Sequence, residues 1–268
     1  MKLVALARPP ASPDQAAKAL AEATGLSLAE CRMRLAPEPP ALLARLEAGR
    51  ADALAAALRK AGLAALALDA RVPSDEDRTV VRRFAFSAAG ASLAPRLGEA
   101  MELAWPEVLA ILRGLRARRI ETERTDRSRK FSAGAAIATG GLLPWRDASV
   151  TVRSSEESTE QVVLVYARDG RAAVLAEGEL DFSCLGPGLA PSSAANVAEV
   201  ARRLREGATG AFYDERLLRL GRRPLPFLAG GEWRSQAGPT ATASVDTSGA
   251  LDVLAEVMRR ALVEGLLP

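Results

Sequence analysis

The sequence predicts an α+β protein: a small α/β sandwich, then a mostly antiparallel β domain closed by a helix, then C-terminal helices. Three observations carry this. The first seventy residues alternate short apolar runs with capped helical segments. From Val80 the rhythm becomes strand-like, with β-branched and aromatic residues set among polar ones. Residues 250–266 return to a helical period. The expected organisation is a domain over 1–70, a linker over 71–79, an α+β domain over 80–223, a flexible segment over 224–249 and an amphipathic helix over 250–268.

"KLVALA" (Lys2 to Ala7) is short and apolar and reads as a buried strand. Ser12 is a good N-cap, Pro13 suits the first helical position and Gln15 stands at capping-box spacing, so a helix runs from Pro13 to about Thr24. Gly25 can take the left-handed conformation that ends it. Ser27 caps a second helix, with Glu30 completing a capping box and Leu26 and Cys31 at staple positions. "APEPP" stops that helix. Gly25 and Ser27 serve the caps, and Leu26 and Leu28 read as core. "LLARLE" (Leu42 to Glu47) reads as a strand, Ala51 to Ala61 as a helix ending at Gly62, and "LAALALD" as a closing strand.

Beyond the linker, "VVRRFAF" reads as a strand and "SAAG" as a turn. "AMELAW" alternates up to Trp105, and "PEVLAIL" reads as a short helix or turn. "EQVVLVYARDGRAAVLAEGELDF" is the clearest hairpin, turning at Asp169-Gly170. "AANVAEVARRLREG", capped by Ser192 or Ser193, is an amphipathic helix with Val197, Val200, Ala201 and Leu204 on one face. "AFYDERLLRLGRR" reads as a helix. "FLAGGEWRSQAGPTATASVDTSG" reads as loop. "ALDVLAEVMRRALVEGLL" is a helix whose face of Leu251, Leu254, Val257, Met258, Ala261 and Leu262 docks on its own chain or pairs with a partner helix, including one from a second copy through 250–266.

The stretches "ATGLSLAE" (Ala23 to Glu30) and "ADALAAALRKAG" (Ala51 to Gly62) make residues 2–69 resemble the C-terminal domain of the bacterial ribosomal stalk protein, a fold shared with the ClpS adaptors. The resemblance implies a partner-binding face on the first two helices, which in that family recruits translational GTPases through basic residues. The expected partner-binding residues are Lys18, Glu22, Leu26 and Arg32. Ala21 and Ala29 stand where the family carries basic residues, which puts GTPase recruitment in doubt. Arg8 and Pro9 replace the ClpS Asn-Asp pair, and no histidine exists, which argues against N-degron recognition. Residues 79–207, with "LAWPEVLAIL", resemble more distantly a bacterial pleckstrin-homology-like domain.

The absence of histidine removes Ser–His and Cys–His pairs, His-ligated metals and the usual general base. Cys31 and Cys184 share no metal or redox spacing. No metal, cofactor or catalytic residue is indicated. The expectation is not an enzyme, with an enzyme of unrecognised type as the remaining alternative. "MKLVALARPP" is too short an apolar run for a signal segment, and no run reaches the about 18 residues of a membrane span, so the chain reads as cytoplasmic.

Arg113 to Lys130 holds eight basic and three acidic residues. Arg116, Arg118, Arg119, Arg127, Arg129 and Lys130 are candidates for anionic lipid or nucleic acid. No aromatic interrupts the run until Phe131, and Glu121, Glu123 and Asp126 can pair across strands, so a solvated strand face is the plainer reading. "GAAIATGGLL" (Gly134 to Leu143) lacks a phosphate-loop lysine. Ser128 and Lys130 match a Ser–Lys pair by chance. Asp214 and Glu215 read as salt-bridge partners of Arg216 or Arg219. The leading expectation is an adaptor that binds another protein.

Overall fold

The computed structural model describes residues 1–71, 73–131, 145–221, 223, 225, 232–237, 240–246 and 248–268, with side chains described outside 117–157 and 232–248. The chain forms two compact units: one of Met1–Arg116, Thr159–Leu228 and Ser248–Pro268, the other of Ala117–Ser158 and Ala229–Thr247. The first unit thus gathers the predicted N-terminal domain, most of the predicted second domain and the final helix.

The first seventy residues follow the order β1 (Lys2–Leu6), α1 (Pro13–Thr24), α2 (Leu28–Leu35), β2 (Ala41–Leu46), α3 (Ala48–Lys60), β3 (Ala65–Asp69). The strands form an antiparallel sheet in the order β2-β1-β3. The caps are those the sequence specifies. Ser12 accepts from the Gln15 amide, and Ser27 and Glu30 form a reciprocal capping box. Gly25 ends α1 at φ 73°. Helix α3 starts at Ala48, three residues before the expected Ala51.

The next elements are β4 (Thr79–Phe86), β5 (Gly90–Pro95), β6 (Met101–Ala104), β7 (Val108–Phe131), β8 (Trp145–Ala167), β9 (Ala172–Ala176), α4 (Ser193–Gly207), β10 (Phe212–Asp214), α5 (Leu217–Leu220), β11 (Glu232–Ala237), β12 (Thr240–Asp246) and α6 (Ser248–Val263). In the first unit they make a seven-stranded mixed sheet, β10-β7-β8-β9-β4-β5-β6, with β10·β7 and β4·β9 parallel. The molecule is therefore mixed α/β, with a three-stranded antiparallel sheet and a mixed one.

Three readings are corrected. "PEVLAIL" is not a short helix: Trp105–Glu107 make one 3-10 turn and Val108 opens a long strand. Val108, Ala110, Ile111 and Leu112 are buried on two faces, and a continuous apolar run is what such a strand requires. "AFYDERLLRLGRR" splits into β10 and the four-residue α5. Residues 232–237 and 240–246, expected as loop, form a hairpin in the second unit. There β12 pairs with β7 from Thr240 opposite Arg124 to Asp246 opposite Arg118. Thr240, Thr242 and Val245 suit a strand once an edge is offered, which composition alone does not reveal. Gly134 to Leu143 lies outside the described residues.

Strand alternation sorts the first unit into layers. Val4 and Leu6 face α1, α2 and α3, sharing a core with Leu20, Cys31, Leu54 and Leu58. Leu3, Ala5 and Ala7 face the other way, into a core with Leu66, Leu68 and α6. Val162, Leu164 and Tyr166 of β8 reach that same core, while Val163 and Val165 join α4 on the opposite face of their sheet. The order is helices, small sheet, α6, large sheet, α4. Leu251, Val253, Leu254, Ala255, Val257 and Met258 are all buried, so α6 is covered all round over 251–258, while Arg260 and Val263 near its end are exposed. Of the face predicted for this helix, Leu251, Leu254, Val257, Met258 and Ala261 are buried against their own chain, and Leu262 is partly so.

Candidate functional site

Helix α1 carries Lys18 and Glu22 four residues apart on its exposed side, and α2 carries exposed Arg32. Arg32 is already engaged by Asp14 at 2.9 Å. Leu26 is partly buried against the small helical core. Asp14, Lys18 and Glu22 follow one another at four-residue spacing on α1, so Arg32 is bound to the helix face that carries the other two exposed candidates. Of the four predicted partner-binding residues, only Leu26 lines the groove described next.

That groove, about 480 Å³, lies between the end of α1, α2, β2 and α3. Leu26, Leu46, Leu54 and Ala57 supply apolar lining, and Arg34 and Arg50 are its charged lining residues. Arg34 is held in place by its Nη1 donating to the Leu43 carbonyl at 2.8 Å. Among the described residues, no carboxylate lines the groove. On α2, Leu28 is 43% and Met33 68% exposed, so Leu28 is not core as the sequence implied. A short helix laid on the outside of a layer buries only a narrow stripe, which on α2 is Cys31 and, in part, Leu35. The remaining large apolar side chains of α2 are left outside.

Two other concavities differ in kind. One of about 570 Å³ along β4, β5 and β6 contains Glu102, Glu107 and Arg171. Arg171 is committed there, to Asp169 and to the Glu102 carbonyl. The other, about 240 Å³, contains Asp77, Arg71, Glu256 and Arg260. Arg71 pairs with Asp77 and Arg260 with Glu256. These pairs are internal to the chain, and Asp69 also lines the smaller concavity.

The arginine-rich segment is corrected at Arg116, the first of its candidate anion-binding residues. Arg116 does not face an anionic ligand: its guanidinium donates to both Asp75 oxygens at 2.8 and 2.6 Å and lies 3.4 Å from Asp252. Asp252, on α6, also accepts from Arg78, whose side chain is 3% exposed. Residues 71–79, predicted as a linker, thus supply two members of a four-ion cluster in which Arg78, Arg116 and Asp252 are buried and Asp75 reaches the surface. Burial opposes the Arg116 charge, but Asp75 and Asp252 outweigh it and raise its pKa. Tyr166 is buried beside this cluster, and burial pushes its phenol well above the ordinary value. Among the described residues its hydroxyl has no hydrogen-bond partner. The pattern is that of a clamp on α6. Arg118, Arg119, Arg127, Arg129 and Lys130 lie on β7, with their side chains outside the described residues, as is that of Ser128.

Asp214 accepts from the amide and Nε of Arg216, and Glu215 accepts from the Tyr213 hydroxyl. Arg219 pairs instead with Glu38. Among the described residues, no group of three or more Cys, Asp or Glu could hold a metal ion. Nor is any helix there long and apolar enough to cross a membrane. No family model, curated protein or solved structure matches the chain.

The sequence did not point to Arg34, Leu46, Arg50 or Ala57. Ala53 and Ala57 are small residues at i and i+4 on the same side of α3, and Leu46 ends β2 with its burial incomplete. The signal was small residues on one helix turned toward a large residue on another element, which only becomes a groove once the packing is known.

Proposed function

We propose that the chain is a non-enzymatic adaptor that binds another protein through its layer of helices α1 to α3. The observation that carries this reading is the apolar groove beside α2, together with exposed Leu28 and Met33. An apolar groove open on the surface of a folded chain is where binding sites occur, and Leu28 and Met33 are further apolar side chains left exposed on the same helix. The resemblance of residues 2–69 to the ribosomal stalk C-terminal domain supports partner binding on the same helices. Ala21 and Ala29 weigh against a translational GTPase as that partner. The seven-stranded sheet with α4, the part resembling a pleckstrin-homology-like domain, carries the helical layer through α6 and offers a second contact surface.

The test uses the full chain, because removing residues after 70 would expose Leu3, Ala5, Leu66 and Leu68. Cross-linking capture with wild type should yield a discrete protein partner. A Leu28→Asp, Met33→Asp double variant should lose it with an unchanged circular dichroism spectrum. Capture of the same partner by the double variant sinks the reading.

A further inference from the structure

Three features outside the α2 face bear on function: the four-ion cluster under α6, the concavity along β6, and the end of the second unit where the chain passes from β7 to β8. The first two contain their own counter-charges. At the third, cations outnumber anions.

Strands β7 and β8 are neighbours in the sheet, and 117–131 and 145–158 belong to one compact unit. The later part of β7 therefore runs beside the earlier part of β8, which brings Phe131 and Trp145 to the same end of the hairpin. β12 accompanies β7 only from Arg118 to Arg124, and β7 continues beyond it. The charges divide along this hairpin. From Arg127 to Phe131 and from Trp145 to Ser149 stand four cations, Arg127, Arg129, Lys130 and Arg146, against one anion, Asp147. Over 117–126 three arginines meet three acids, and over 150–158 Arg153 meets Glu156 and Glu157. Arg127, Arg129 and Phe131 hold alternate positions and so share one face of β7.

We infer that this end of the hairpin docks on the surface of an anionic lipid bilayer. The inference goes beyond the adaptor reading and does not rest on it. Charge complementarity calls for an anionic occupant, and the order of residue types selects lipid over nucleic acid. Toward the end of the hairpin the sequence runs from cations to one aromatic residue on each strand, and the connecting residues 132–144 carry no charge. A bilayer presents the same order in depth: anionic headgroups that attract Arg and Lys, the interfacial level where Trp settles, then hydrocarbon. A single-stranded nucleic acid instead needs aromatics set among the cations, so that bases stack while phosphates are neutralised. Arg113 to Lys130 contains no aromatic residue.

The experiment mixes the full chain with vesicles of phosphatidylcholine, alone or with about one third phosphatidylserine, and reads co-sedimentation at low and high salt. Binding should require phosphatidylserine and fall as salt rises. A cation near such a surface strengthens binding about fivefold, so Arg129→Gln should weaken it by that factor with an unchanged circular dichroism spectrum. Arg153→Gln removes the same charge about 26 Å along β8 from Trp145, beyond the screening length at physiological salt, and should change binding less than about twofold. Brominated acyl chains should quench the fluorescence of the bound protein, and Trp145→Phe, which keeps Trp105 and Trp233, should abolish that quenching. Absence of binding, or equal binding to phosphatidylcholine alone, overturns the proposal. So does an Arg153→Gln loss as large as that of Arg129→Gln, or quenching that survives Trp145→Phe. Preference for a single-stranded oligonucleotide over the anionic vesicles overturns it too and assigns the cations to nucleic acid. Partner capture through Leu28 and Met33 is a separate measurement, so the two readings stand or fall separately.

Discussion

Helix α6 buries Leu251, Val253, Leu254, Val257 and Met258 completely, whereas α2 buries Cys31 and leaves Leu28 and Met33 in water. In sequence the two looked otherwise. The final helix carried an apolar face without an obvious cover, and Leu28 stood in a tidy capped junction that promised a core position. The difference comes from what lies on each side. A helix between two sheets needs apolar residues all round. One laid on the outside of an Ala-rich layer needs only a narrow stripe. An apolar residue therefore indicates burial only when the number of neighbouring layers is known.

The sharpest way to break this comparison is to release α6. Asp252 is the shared anion of Arg78 and Arg116. Replacing it by alanine leaves two guanidinium groups, their side chains 3% and 13% exposed, with only Asp75 nearby. The expected cost is about 3–5 kcal/mol in urea unfolding, because an uncompensated buried charge is worth far more than the pair itself. A loss below about 1 kcal/mol would mean that apolar packing alone seats the helix.

The same seating can be probed sterically. A Cβ on Gly114 would lie 2.3 Å from Leu251 Cδ1 and 3.1 Å from Leu217 Cβ. Gly114→Ala should cost about 1–3 kcal/mol by overpacking. Combining it with Leu251→Ala should recover part of that loss, since the two changes share one space. Strict additivity would place Leu251 elsewhere.

Local chemistry made the N-terminal elements legible. Ser12, Gly25, Ser27 and Glu30 act within a few residues of themselves, so caps and helix bounds follow from sequence. The hairpin at Asp169-Gly170 is legible for the same reason, with Gly170 at φ 97°. What was not legible depends on distant chain. β12 is a strand because β7 offers an edge, and Arg116 is a buried clamp because Asp75 and Asp252 come to it over 41 and 136 residues. The groove needs four elements at once, and no single stretch encodes it. A run of eight basic residues could not announce that its second member faces inward.

Acid offers a smaller, graded test. Hydrogen bonds from Arg202 and Arg203 hold the Glu199 carboxyl down to about 2, against an ordinary 4.5. Burial raises Glu256, but Arg259 and Arg260 outweigh it, and its pKa is also lowered. A depressed carboxyl stabilises the fold above its unfolded value and loses that contribution as pH falls through the folded value. Unfolding stability should therefore decline from about pH 4.5 toward 2. With no histidine in the chain it should stay nearly flat from pH 5 to 8. A marked change near pH 6.5 would point to a titrating group other than these.

The smallest expected effect is the most telling about α2. Met33 is 68% exposed, so Met33→Gln removes little that folding buries. Its change in stability should stay within about 0.5 kcal/mol. If α2 is a recognition surface, the same substitution should still weaken partner capture, because a flexible thioether on an open helix face gains its contacts only when a partner covers it. Stability and binding then separate at one residue, which is how a surface apolar group kept for recognition differs from one kept for packing. A loss above 1 kcal/mol would instead assign Met33 to the core and remove the contrast with α6.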